Sequence, residues 1–106
     1  MFRFFKKKPK SALDEINLLT VQMYRPYIIH NKDISDEKVL EIVQTVMRAF
    51  KQAAESKDEN ITGETLMNIS AKFVKVYDLG GQDLFIEHLK YEISKYLDSG
   101  LRHDYL

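Results

Sequence analysis

Polar caps ahead of apolar runs at helical spacing, with almost no glycine or proline inside them, constrain this chain to a helical fold. The sequence holds four glycines and two prolines, and most of them stand where a helix would end. Four helices are expected. The first runs from about Ala12 to about Ile29, with Ser11 as its N-cap and Asp14 and Glu15 in the first turn, where carboxylates complement the helix dipole. Its apolar stripe is Leu13, Ile16, Met23, Tyr24 and Tyr27, with Thr20 among them. Pro26 removes one N–H and crowds the preceding turn. Because Tyr27 continues the stripe, a kinked continuous helix is expected rather than a stop at Arg25.

His30 to Asp33 reads as a turn. Ser35 caps a second helix reaching about Ser56, with core positions Val39, Ile42, Val43, Val46, Met47, Phe50 and Ala53 at helical spacing. After the polar stretch Ser56 to Asn60, Thr62 caps a third helix, and Ile61 can pack on Leu66 as a hydrophobic staple. Leu66, Met67, Ile69, Phe73, Val74, Val76 and Tyr77 cover about half of its circumference, wider than a surface stripe, so this helix should be the most central. Gly80 and Gly81 should end it. A fourth helix over about Gln82 to Asp98 turns Phe85, Ile86, Leu89, Ile93, Tyr96 and Leu97 inward. Gly100 ends it, and the last six residues, LRHDYL, read as a tail or short docking segment. Short connections favour antiparallel neighbours. The expected fold is all-α: a small up-down four-helix bundle with a basic N-terminal tail and a short C-terminal tail. A chain of 106 residues makes one domain, divided into a tail over residues 1–10 and a helical body over residues 11–106.

Charge separates the same two parts. The chain carries 16 basic and 16 acidic residues. Five of the basic ones (Arg3, Lys6, Lys7, Lys8, Lys10) lie in the first ten residues with no acidic one, so the body has a net charge of −5. Phe2, Phe4 and Phe5 are interleaved with them. Basic side chains near an anionic leaflet gain on the order of 1 kcal/mol each, and aromatic rings favour the interface. Phe2, Arg3, Phe4, Phe5, Lys6, Lys7 and Lys8 are therefore the expected contact with an anionic lipid surface or a partner.

Catalytic signatures are not found. There is no cysteine, which removes thiol chemistry and cysteine zinc sites and is compatible with a reducing cytosol. The three histidines (His30, His88, His103) have no ligand spacing. His88 and Glu92, at i and i+4, offer one edge of a metal site, too few ligands for a metal. No serine sits in a nucleophile elbow, and Gly80-Gly81 follows a helix rather than a strand, so it resembles a helix stop, not a phosphate cradle. A helix-turn-helix reading of the last two helices fails on charge. The would-be recognition helix carries Asp83, Glu87, Glu92 and Asp98 against Lys90 and Lys95, and phosphate contacts supply most affinity for DNA. No signal peptide, membrane-span pattern or lipidation motif is expected.

One further surface is expected on the fourth helix. Leu84, His88 and Tyr91 fall opposite its core stripe, and an exposed aromatic beside an aliphatic residue is typical of binding hot spots. The alternative for these residues is local: Leu84 covering the preceding loop, Tyr91 packing its ring edge on the first helix or the C-terminal tail. The expectation is a non-catalytic, cofactor-free and metal-free cytoplasmic protein that binds a macromolecule: an adaptor, regulator or inhibitor. Its partner would be another protein or a second copy, and its tail would attach it peripherally to the inner face of a membrane. A nucleic-acid-associated regulator and an acidic inhibitor of a basic enzyme are the alternatives.

Overall fold

A computed structural model of the chain describes residues 11–106. The tail contacts expected at Phe2, Arg3, Phe4, Phe5, Lys6, Lys7 and Lys8 lie outside the described residues. The described chain is all helical: α1 over Ala12–Tyr24, α2 over Asp36–Ser56, and α3 over Gly63–Ser99, with short 3-10 turns at Arg25–Tyr27 and His103–Tyr105.

All three caps close as the sequence indicates. Ser11 Oγ accepts from Asp14 N at 3.2 Å, Ser35 Oγ from Lys38 N at 3.1 Å, and Thr62 Oγ1 from Thr65 N at 3.1 Å. Each satisfies one N–H that the first turn cannot pair internally.

The first helix is shorter than expected. The α-helical pattern stops at Tyr24, and Arg25–Tyr27 tightens into a 3-10 turn before Ile28 becomes extended. Pro26 has no N–H to offer the preceding turn, and here this outweighs the apolar continuity of Tyr27.

The expected third and fourth helices are one element. Gly80 does not end the helix, and only Gly81, at φ 78° and ψ −163°, leaves helical geometry within Gly63–Ser99. This single residue nonetheless reverses the chain. The rings of Phe73 and Phe85 lie 6.1 Å apart, and those of Phe73 and His88 lie 5.7 Å apart. A straight helix would separate residues 73 and 88 by about 22 Å. The stretches 63–80 and 82–99 therefore fold back on each other.

The core gathers between α2 and these two stretches. Phe50 is its hub, with the rings of Phe73, Tyr96 and Tyr105 each 6.1 Å away. Val39, Ile42, Val43, Val46, Ile69, Phe73 and Val74 are also buried. Met67 and Leu97, expected inward, are exposed.

Two buried carboxylates tie the chain's loose ends to this core. Asp78 accepts hydrogen bonds from the backbone N–H groups of Ile29, His30 and Asn31 at 2.9–3.1 Å, while Asn31 Nδ2 donates to the Asp78 carbonyl at 2.8 Å. Burial works to raise the Asp78 pKa, but those three N–H donors outweigh it and hold the carboxyl below its ordinary value. This cradle fixes where the chain leaves α1. Glu92 does the same for the C-terminus. It accepts from Arg102 Nη1 at 3.0 Å and from the Tyr105 hydroxyl at 3.3 Å. Glu92 is thus a core residue, not part of a solvated face. The C-terminal LRHDYL segment is docked, with Tyr105 buried against Phe50.

Candidate functional site

α1 carries the largest departure from the sequence reading. Val21 and Tyr24 face the body and are buried, but Leu13, Ile16, Leu19 and Met23 remain 64%, 57%, 56% and 47% exposed. Leu13 and Tyr24 fall on the same side of the helix, yet only Tyr24 meets the body. The first half of α1 therefore reaches past the packed core, in a molecule whose principal dimensions are 53 × 29 × 19 Å. α2, the longest unbroken helix, accounts for only about 32 Å of that length.

Ala12, Ile16, Leu19 and Met23 follow one another at spacings of four, three and four residues. At about 100° per residue they form one stripe, about 140° around the helix from Val21 and Tyr24. This spacing is that of a helix–helix seam. On another side of α1, about 130° from the stripe, Leu18 is also exposed and borders a shallow groove of about 150 Å³ with Asn17, Val21, Asp36, Glu37 and Leu40. Arg25 Nη2 meets Asp36 Oδ1 at 2.5 Å and pins the end of α1 to the start of α2.

The second expected surface resolves into three environments. Leu84 is 39% exposed and lies over the turn: a Cβ built on Gly80 would stand 2.2 Å from Leu84 Cδ2. His88 turns edge-on to Phe73, with its Nε2 3.9 Å from Glu92 Oε2. Tyr91 is 57% exposed, with Lys95 Nζ 5.9 Å from its ring centre. The three share a face of α3, but only Tyr91 stands open to a partner.

The C-terminal clasp encloses a cavity of about 230 Å³ lined by Lys72, Phe73, Lys75, Val76, His88, Arg102 and Tyr105. Its cations are mostly engaged. Lys72 pairs with Asp104, Arg102 bridges Glu92 and Asp104, and Lys75 Nζ lies 5.1 Å from the centre of the Tyr27 ring. The ammonium of Lys72 and the guanidinium of Arg102 hold the Asp104 carboxyl below its usual range. Burial first, and then the Glu92 carboxylate, raise the Tyr105 hydroxyl well above its usual value. Both effects describe a structural clasp.

Among the described residues, no group of three histidine or acidic side chains is placed to hold a metal ion. No described helix is long and apolar enough to cross a membrane. In comparisons with protein-family models, curated proteins and solved structures, none matched this chain.

In the sequence Leu13, Ile16 and Met23 fall on the expected apolar stripe of the first helix, and Leu19 falls outside that set. The signal is present in the sequence: α1 has apolar residues on more than one side, and a helix at the edge of a small body touches it with only one of them.

Proposed function

We propose that this protein is a non-catalytic binding module whose recognition surface is the outer stripe of α1. The stretches of α3 on either side of Gly81 act, with α1 and α2, as the members of an up-down bundle that carries this surface. The observation that supports the reading is the exposure of Ile16, Leu19 and Met23 in one line on a helix that overhangs the core. Contiguous exposed apolar area on a small protein marks an interaction site. Affinity purification from the native host tests it, comparing the unchanged chain with an Ile16→Ser/Leu19→Ser/Met23→Ser variant. A partner captured by the former and lost from the latter is expected. Equal capture by both would remove α1 as the site.

Membrane-surface attachment is a second reading, supported by the five basic and three phenylalanine residues of segment 1–10. It places the protein peripherally at the inner face of a membrane, in the cytoplasm. Deleting residues 2–10 should abolish co-sedimentation with anionic vesicles while leaving binding through α1 intact.

A further inference from the structure

We infer that the occupant of the α1 stripe is the same stripe of a second copy, running antiparallel about a two-fold axis. The inference rests on the reading of α1 as a binding surface and names its partner.

The stripe is symmetric in spacing. Reversed, four–three–four is again four–three–four. An antiparallel pairing centred between Ile16 and Leu19 sets Ala12 opposite Met23 of the other copy, and Ile16 opposite Leu19. The smallest side chain meets the longest, and two branched aliphatics of similar volume meet at the centre. This is the self-complementary arrangement that a two-fold interface demands, in which each residue's partner is matched in return. Ile16 and Leu19 are more than half open to solvent, and Met23 nearly half. Val21 and Tyr24, which hold α1 to its own body, point away from the stripe, so each body lies on the outer side of its own helix, away from the seam.

Charge selects the direction. The segment before Ser11 carries five basic residues and no acidic one. Parallel pairing would bring two such segments together, at a repulsive cost. Antiparallel pairing starts each one beside the other copy's α1 C-terminus, where the Arg25–Asp36 bridge holds the first turn of α2. Glu37, in that turn, forms no ion pair among the described residues and lines the groove beside Asn17, Leu18 and Val21. The seam is only four residues long, so the association belongs to the weak, transient class, and it should weaken with salt.

Sedimentation of the full-length chain over a wide micromolar range tests the proposal. The average mass should rise from monomer toward dimer. Leu19→Glu, an exposed position whose change leaves the core untouched, should weaken the dimer at least ~10-fold, or about 1.4 kcal/mol. Direction is read by cross-linking, because the chain has no cysteine of its own. Ala12→Cys and Met23→Cys proteins should form disulfide-linked dimers efficiently when mixed and poorly when each is oxidised alone. Efficient cross-linking of Ala12→Cys with itself would establish a parallel pair and overturn the inference. A dimer unaffected by Leu19→Glu would place the interface elsewhere, with Tyr91 as the next candidate, and would also overturn it. A monomer at every concentration overturns the dimer but leaves the α1 binding reading standing if a captured partner still depends on Ile16, Leu19 and Met23. If that capture too is indifferent to the stripe, both fall.

Discussion

Asp78 organises the way the chain leaves α1. Its carboxylate gathers three consecutive backbone N–H groups, which no neutral side chain can do with two acceptor oxygens and full charge. Asp78→Ala should cost about 3 kcal/mol, since the donors lose a charged partner in a largely buried site, and chemical denaturation will measure it. The pH dependence follows from the lowered pKa. The Asp78 contribution is complete above the unfolded carboxyl value of about 3.9 and disappears as pH falls through the lower folded value. The difference in stability between the native chain and Asp78→Asn should therefore shrink in acid and stay constant near neutrality. At the apolar end of the scale, Phe50 and Phe73 are fully buried and in ring contact. Truncating either to alanine should cost about 3–5 kcal/mol; unchanged melting of a cooperative Phe73→Ala protein would contradict the core described above. Neither acid's role was read from the sequence. Glu92 follows Phe85 and Leu89 and precedes Tyr96 on the buried stripe of α3, so its position was legible, but its partners Arg102 and Tyr105 become neighbours only when the C-terminus docks.

At the scale of elements, helix starts were written locally, and so were the ends at Ser56 and Gly100; the breaks at Pro26 and at Gly80-Gly81 were not. Ser11, Ser35 and Thr62 each bond the N–H three residues ahead, an interaction decided within one turn of chain. Pro26 and the glycine pair required a balance between local cost and packing. Gly81 adopts a backbone conformation open almost only to glycine, and no neighbouring atom approaches the place a Cβ would occupy. Gly81→Ala should then destabilise by about 1–3 kcal/mol through backbone strain alone. Gly80→Ala acts by a different route, because its Cβ would strike Leu84 and displace it from the turn. Nuclear magnetic resonance of the Leu84 methyl groups separates the two effects: large shifts are expected for Gly80→Ala and small ones for Gly81→Ala. On the outer face of the same helix, Tyr91→Ala should leave the monomer's melting nearly unchanged. A loss of several kcal/mol would return Tyr91 to the core.

At the scale of the whole molecule, a basic aromatic segment of ten residues precedes a body of net charge −5. The full-length chain should co-sediment with anionic vesicles at low salt, weakly, because one short segment without a lipid chain anchors only marginally. Replacing Lys6, Lys7 and Lys8 by glutamine should remove most of the binding, and replacing Phe2, Phe4 and Phe5 by serine should reduce it further. No sedimentation even at low salt would end the membrane reading. Sequence by itself determined the helical class, the three capped starts, the buried Val39, Ile42, Val43, Val46, Phe50 and Ala53 of α2 and the inward set Leu66, Ile69, Phe73, Phe85, Leu89 and Tyr96, because caps and 3.6-residue periodicity act within a few turns. Tertiary structure alone decided that Glu92 is a buried anchor, that the C-terminus closes over Phe50, and that the apolar side chains of α1 stay in solvent. Periodicity shows that a helix has an apolar face, but which face finds a neighbour depends on the extent of the body beside it. Here that body ends before α1 begins.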